Sequence, residues 1–165
     1  EPGGNQLGNK SLPLVKKVFE IARKCIPSQP LTCGIWMLNQ AYAPLNAFQL
    51  QNSDVISYHN YAPEPVHAAE IKHLQVFNRP MFCTEYMART KGSTFQAIMP
   101  LLKKNNVGAI NWGLVDGKTN TKYSWEEPHP DGSEPELWFH DILHKDGTPY
   151  KADEVEIIKQ LNTRK

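Results

Sequence analysis

The chain lacks the sequence features that mark several large classes of protein. No apolar stretch approaches the roughly 20 residues that a membrane-spanning helix requires. The net charge is only +1 and the lysines are scattered, so there is no basic surface typical of nucleic-acid or membrane binding. The sequence also contains no Gly-x-Gly-x-x-Gly motif or other phosphate-binding loop. We therefore expect neither a nucleic acid nor a membrane as partner.

Cysteine is scarce, which excludes two further classes of fold. The chain has three cysteines, an odd number without paired spacing, so they predict neither a disulfide framework nor a zinc site. Cys33 and Cys83 fall in predicted strands, where we expect small buried side chains. His140 and His144 have helical i, i+4 spacing, but without a third ligand a capping or surface role is the alternative to metal binding.

A regular spacing of aromatic residues organises the first two thirds of the chain. Trp36, Tyr61, Tyr86 and Trp112 lie 25, 25 and 26 residues apart, each at the end of a short extended run (31–36, 54–61, 79–86 and 107–112). Helical patterns separate these runs at 45–51, 65–77 and 94–104, the last with Ser93 as a candidate cap. Alternating strands and helices predict βαβ units and a parallel sheet.

The predicted fold class is α/β, the C-terminal part of a TIM (β/α)8 barrel, with about strands four or five to eight. A complete barrel needs about 250 residues, and this chain has 165, with 40% hydrophobic and 21% charged residues. Residues 1–165 are therefore expected to form one partial barrel domain whose upstream half is missing. An open doubly wound sheet is the alternative. The C-terminal part predicts a long irregular segment at 113–135, a helical turn at 137–143, a turn at Asp146-Gly147 and a capped helix at 153–161.

Glu85 is the main candidate for chemistry because a lone carboxylate ends an apolar strand. Glutamate is seldom buried without a partner, whereas enzymes shelter such groups as nucleophiles or proton shuttles. Strand alternation places two sets of side chains on shared faces, namely Ser57, His59 and Tyr61, and Met81, Cys83 and Glu85. If both faces point into the barrel, His59 and Tyr61 lie beside Glu85 and hold it ionised.

The aromatic residues and their amide neighbours predict a carbohydrate site. Trp36 and Trp112 are each also typical of core packing, but at a barrel rim an indole face can stack on a sugar ring. Asn111, like Asn39 and Asn60, supplies hydrogen-bond donors and acceptors suited to hydroxyls. Glycoside hydrolysis ordinarily needs a second carboxylate. Glu1, followed by a Pro-Gly-Gly turn, is the candidate, although on these grounds alone it is better explained as the arbitrary start of the sequence.

Four short segments, in this order and at these intervals, resemble the second half of the clan A glycoside hydrolases, especially family five, the cellulase-like family. They are Glu1-Pro2-Gly3-Gly4, His59-Asn60-Tyr61, Phe82-Cys83-Thr84-Glu85-Tyr86 and Asn111-Trp112-Gly113. The tail also resembles the closing segment of bacterial members of the family that are cellulase-like or xylanase-like, at Trp138-Phe-His-Asp141 and Asp146-Gly-Thr-Pro-Tyr150. The resemblance covers nearly the whole chain.

The resemblance implies a role for each matched residue. Glu85 corresponds to the nucleophile at the end of the seventh strand, and Glu1 to the acid/base that ends the fourth. His59 and Tyr61 match the pair on the sixth strand, and Trp112 matches the tryptophan under the cleaved sugar. The implied activity is that of a retaining β-glycosidase with two glutamates about 5–5.5 Å apart. It requires neither metal nor organic cofactor, and its partner is an oligosaccharide or polysaccharide substrate.

Two alternatives and two further expectations accompany this interpretation. The chain could be a non-catalytic carbohydrate-binding barrel, or an inactive fragment that pairs with itself to cover exposed sheet edges. The resemblance implies a secreted or periplasmic parent protein, whose targeting segment would lie upstream. The specific glycan and linkage depend on loops of the missing half, so the sequence does not name the sugar.

Overall fold

The computed structural model describes residues 2–4, 7–127 and 129–163. In chain order the elements are α1 (Leu12–Lys24), α2 (Ala43–Asn52), β1 (Ile56–His59), α3 (Glu64–Gln75), β2 (Met81–Glu85), α4 (Phe95–Lys104), β3 (Val107–Ala109) and α5 (Ala152–Asn162). Three short 3₁₀ turns lie at Gly8–Ser11, Gln40–Tyr42 and Arg89–Lys91. Helices and strands thus alternate from α2 to β3, which confirms the predicted βαβ organisation.

The strands form one parallel sheet in the order β1-β2-β3. The run at 31–36 meets this sheet on the far side of β1 through a single parallel bridge between Ile35 and Tyr58, rather than through a complete strand. The molecule is therefore a mixed α/β protein with a small three-stranded parallel sheet. All four predicted runs lie side by side and point the same way.

The two faces of the sheet differ from the sequence prediction. Strand alternation places Met81, Cys83 and Glu85 on one face, but of these three only Met81 and Cys83 belong to the core beneath the helices. Phe82 lies on the opposite face and remains 40% exposed. It pairs with Gly108, where an added Cβ would stand only 2.5 Å from a Phe82 ring carbon. Glycine at position 108 therefore lets this ring lie flat against β3.

The helices begin where the sequence offers suitable first-turn residues. Both α2 and α3 carry a proline in the first turn, a position where its missing N–H is not needed. The N-cap of α4 is Thr94, whose hydroxyl accepts a hydrogen bond from the Ala97 N–H at 3.3 Å. The predicted cap, Ser93, is wrong because its hydroxyl donates to the Tyr86 carbonyl instead.

Two hydrophobic clusters hold these layers together. The larger one joins the helix-facing side of the sheet to α3 and α4, with α5 packed at its margin. The smaller one is built on Val15, Phe19 and Leu45, where α1 packs on α2. The opposite face of α1 is apolar and unburied, since Leu14, Val18 and Ile21 are each more than half exposed.

The C-terminal part is held by long-range contacts rather than by regular structure. The predicted helical turn at 137–143 is wrong, because this segment is irregular with bends, and Leu143 bridges Val115 on one side and Pro149 on the other. The Asp146-Gly147 turn is confirmed, with the Asp146 carboxylate accepting from the Thr148 N–H at 2.9 Å. The closing helix is also confirmed as α5, although no side chain caps it.

Candidate active site

The carboxyl ends of the parallel strands open into one cavity of about 1470 Å³. Five of the predicted site residues line it, namely Trp36, His59, Tyr61, Glu85 and Trp112. They come from four separate runs of sequence and meet because parallel strands bring their carboxyl ends to the same edge of the sheet. Amide side chains are also present in the lining, at Asn39, Gln40, Asn46 and Asn60.

Glu85 lies at the centre of this group. The Tyr61 hydroxyl donates a hydrogen bond to Glu85 Oε2 at 2.6 Å, and His59 Nδ1 lies 3.4 Å from the same oxygen. The side chains of His59 and Glu85 are only 14% and 17% exposed, so the carboxylate is sheltered but reachable. A short bond from a phenol stabilises a carboxylate in its charged form.

A bulge in the sheet brings Glu85 level with His59. Tyr58 pairs with Cys83, whereas the next residue, His59, pairs with Glu85, so Thr84 is an extra residue in β2. The Thr84 hydroxyl donates to the Tyr58 carbonyl at 3.3 Å. Bulges commonly redirect a side chain beside a functional site. This one explains how Glu85 leaves the buried face of Met81 and Cys83.

The loop after β1 is fixed by Asn60, which positions Tyr61. The Asn60 N–H donates to the Glu85 carbonyl at 3.0 Å, and the Asn60 side chain accepts from the Ala62 N–H at 2.8 Å. The Asn60 amide also donates to Glu70 Oε2 on α3. Burial raises the pKa of Glu70 to about 7, while the hydrogen bond from Asn60 lowers it in part. Glu70 therefore links the helix layer to the loop that carries Tyr61.

The wall behind Tyr61 is formed by residues that the sequence did not identify as site residues. The Trp125 ring contacts Tyr61 edge to face at a centroid distance of 5.0 Å and contacts Phe139 at 4.7 Å. His140 lies 5.3 Å from the Tyr61 ring. Trp125 is 59% exposed and lines the cavity. The available signal was a tryptophan in the irregular 113–135 segment that follows the last strand.

Asn111 and Trp112 follow β3 and have different environments. Trp112 is half exposed and lines the cavity. The Asn111 amide instead donates to the Gly113 carbonyl at 2.5 Å, and Asn111 is not among the residues that line the cavity. Gly113 has φ +98°, and an added Cβ would lie 2.7 Å from Asp141 Oδ1. This turn therefore requires glycine and sets the direction of Trp112.

The remaining candidates are Glu1 and the two histidines at 140 and 144. Glu1, the predicted acid/base, lies outside the described residues. His140 and His144 are not on a helix, and the His140 ring bonds the Met87 carbonyl at 2.5 Å. Within the described ranges, no three His, Cys, Asp or Glu side chains are grouped closely enough to hold a metal ion.

Comparisons with models of protein families, with curated proteins and with solved structures returned no match. Across the residues that the structure describes, no helix has both the length and the apolar character needed to cross a membrane. The three cysteines are free thiols, of which Cys83 is buried and Cys25 is exposed. Because the comparisons returned no match, the function is inferred from the geometry and chemistry of the cavity.

Proposed function

We propose that this chain is the C-terminal part of a (β/α)8 barrel that hydrolyses β-linked glycans with retention of configuration. The observation that carries the proposal is Glu85, which is sheltered, hydrogen-bonded by Tyr61 and flanked by His59 at the carboxyl ends of parallel strands. In (β/α)8 enzymes, the active site lies at this end of the strands.

In the proposed mechanism Glu85 is the nucleophile. Tyr61 and His59 both contact Oε2, so we assign the attack on the anomeric carbon to Oε1. A bond forms between Oε1 and the anomeric carbon as the glycosidic bond breaks, and an acid protonates the departing oxygen. Water then attacks the same carbon and gives a proton to the residue that first acted as the acid. The bond between Oε1 and the anomeric carbon breaks, which releases the Glu85 carboxylate. We assign the acid/base to Glu1 on the motif resemblance alone.

The aromatic lining supports a sugar as substrate. Trp112 and Trp36 offer flat apolar faces, and half of the Trp112 surface is exposed, so a ligand can cover it. Sugar rings present C–H groups to such faces and hydroxyls to neighbouring amides such as Asn39 and Asn46. Cavities of this kind, mostly apolar with a few placed polar groups, are typical of sites for small organic ligands.

Exposed apolar surfaces support the proposal of a partial barrel. Leu14, Val18 and Ile21 form one exposed stripe along α1, where a complete barrel would place a preceding helix. Phe82 and Ile110 are 40% and 50% exposed, on the sheet and at its end. We propose that the missing strands and helices cover these surfaces in the intact protein. In this chain alone, a second copy would cover them in part.

A carbohydrate-binding barrel without catalysis is the second candidate function. It is favoured by one observation: among the described residues, Glu85 and Glu70 are the carboxylates that line the cavity, and Glu70 already bonds Asn60. A binding barrel would keep Trp112 and Tyr61 as sugar contacts without needing a second carboxylate at the cleaved bond.

Hydrolysis of chromogenic β-glycosides by the full-length protein separates the two candidates. Glu85→Gln removes the attacking charge while keeping the shape and hydrogen-bonding capacity of the side chain, so we expect turnover to fall by several orders of magnitude. Glu64→Gln is the matched control because Glu64 is exposed at the start of α3 and does not line the cavity. Near-normal turnover in Glu85→Gln would refute the nucleophile assignment, and sugar binding without hydrolysis by the wild type would favour the binding barrel.

A further inference from the structure

Glu70 is a carboxylate that reaches the candidate active site from the helix layer rather than from a strand end. It lies in the middle of α3 and lines the same cavity as Glu85. The Asn60 amide donates a hydrogen bond to Glu70 Oε2. Asn60 is only 8% exposed, and a buried amide that loses its partner costs free energy. Glu70 therefore supplies the acceptor that the Asn60 amide needs.

Asn60 connects this carboxylate to the Tyr61 hydroxyl through a turn that is fixed at three points. Its side-chain oxygen accepts from the Ala62 N–H at 2.8 Å, and its amide donates to Glu70. Its backbone N–H donates to the Glu85 carbonyl at 3.0 Å. Tyr61 lies between the anchored residues and donates to Glu85 Oε2 at 2.6 Å. The direction of Tyr61 thus depends on the orientation of the Asn60 side chain, which Glu70 sets.

Most of the buried titratable groups around Glu70 are neutral near pH 7. The groups that face it or share its cavity are Tyr58 on β1, Cys83 on β2, His67 and His73 on α3, and Glu85 and Lys91 at the rim. Burial raises the pKa of Tyr58 and of Cys83 and lowers the pKa of His67 to about 4. Of the two flanking helices, which the structure describes in full, α2 has no charged side chain and α4 has charges only in its last turn. Burial accordingly raises the pKa of Glu70 to about 7, although the hydrogen bond from Asn60 acts in the opposite direction.

We propose that Glu70 is a positioning residue that acts through Asn60 to hold the Tyr61 hydroxyl on Glu85. An ionised carboxylate is the stronger acceptor for the Asn60 amide, because a hydrogen bond to a charged group is about twice as strong as a neutral one. The hydrogen bond from Tyr61 to Glu85 is therefore held best when Glu70 is charged. This inference rests on the proposed function, because Tyr61 stabilises the carboxylate that we assign as the nucleophile.

A double-mutant cycle in the full-length protein tests whether Glu70 acts through Tyr61. Glu70→Ala should lower kcat/KM on an aryl β-glycoside about tenfold, because it leaves the Asn60 amide without its acceptor. In a Tyr61→Phe background the same change should cost less than about twofold, since the hydroxyl that it positions is already gone. Glu70→Gln should recover most of the activity, because its side-chain oxygen can still accept from Asn60. Glu64→Ala is the control, since Glu64 is exposed at the start of the same helix and does not line the cavity.

A second measurement reads the same coupling without any hydrolysis. In NMR spectra of the full-length protein, isotope-labelled at the tyrosine Cζ atom, the Tyr61 signal is the one that disappears in Tyr61→Phe. We expect this signal to shift with pH, with a midpoint near 7, as Glu70 ionises. The transition should be lost in Glu70→Gln and in Asn60→Ala. Because Asn60→Ala keeps the Glu70 carboxyl group, a loss in this variant shows that the coupling runs through the Asn60 amide.

The proposal is overturned if Glu70→Ala lowers kcat/KM by the same factor with and without the Tyr61 hydroxyl, or if Glu64→Ala causes an equal loss. It is also overturned if the Tyr61 signal titrates alike in the wild type and in Glu70→Gln. If Glu70→Ala does not fold, the comparison of the wild type with Glu70→Gln by NMR decides. A wild type that hydrolyses no glycoside would refute the proposed function, and the NMR titration would still decide the positioning role of Glu70.

Discussion

Replacement of Arg89 by methionine should lower the free energy of unfolding, because Arg89 holds the segment behind the candidate site in place. The Arg89 guanidinium donates to both Glu154 oxygens, from Nε at 2.8 Å and from Nη2 at 2.5 Å. It also donates to the Trp138 and Asp141 carbonyls, both at 2.9 Å. Both charged side chains are only 2% exposed. One residue thus joins α5 to the irregular segment that carries His140.

The expected cost follows from what methionine leaves behind. Breaking a buried ion pair by removing one partner costs about 3–5 kcal/mol, because the remaining charge is buried without compensation. Each orphaned carbonyl adds up to about 1 kcal/mol more. We therefore expect a loss of about 3–7 kcal/mol, a large part of the roughly 5–15 kcal/mol that stabilises a typical domain. Arg89→Met/Glu154→Met removes the stranded carboxylate and should be more stable than Arg89→Met.

Urea unfolding of the full-length protein measures these free energies directly. Arg23→Met is the control, because the Arg23–Asp54 pair has similar bidentate geometry but both side chains are more than 40% exposed. Exposed pairs contribute little, so this variant should change stability slightly. A cost of less than about 1 kcal/mol for Arg89→Met, or a double variant less stable than Arg89→Met, would refute the reasoning.

Three other perturbations have defined outcomes. Tyr61→Phe removes the 2.6 Å hydrogen bond to Glu85. Because hydrogen bonds to charged groups are worth about 1.5–3 kcal/mol, kcat/KM on aryl β-glycosides should fall about 10- to 100-fold. An unchanged kcat/KM would show that the hydrogen bond has no role in catalysis. Burial raises the pKa of Glu70 to about 7 from 4.5, so its protonated form contributes stability below pH 4.5 that is lost as the pH rises to about 7. The free energy of unfolding of the wild type, measured relative to Glu70→Gln, should therefore fall by about 2 kcal/mol over that range after allowance for partial exposure, and a flat difference would contradict this. Finally, the exposed face at Phe82 and Ile110 predicts that this chain alone self-associates, which sedimentation at micromolar concentration would contradict by showing a compact monomer.

The strands and the helices α2, α3 and α4 could be predicted because their signals are local, whereas α1 was not predicted. Each strand is a short apolar run that ends near an aromatic residue, α2 and α3 have a first-turn proline, and α4 has a threonine N-cap. Glu85 was also found locally, as a carboxylate at the end of an apolar run. That His59 and Tyr61 lie beside Glu85 could be predicted from the parallel order of the strands.

The parts that could not be predicted depend on contacts between distant residues. The 137–143 segment has apolar residues at helical spacing, yet it is irregular, and Arg89 binds its Trp138 and Asp141 carbonyls from about 50 residues away. The bulge at Thr84 is a property of strand pairing and leaves no mark in the local sequence. Trp125 reaches Tyr61 only because the irregular 113–135 segment folds back over the rim.

The central claim, that Glu85 is the nucleophile of a retaining glycosidase, is tested most directly by azide rescue of Glu85→Ala in the full-length protein. With the carboxylate gone, azide can enter the vacated space and attack the anomeric carbon of an activated aryl β-glycoside. We predict that activity is restored in proportion to azide and that NMR shows a glycosyl azide of inverted configuration. A product of retained configuration, or no rescue from a folded variant that binds the substrate, would contradict the assignment.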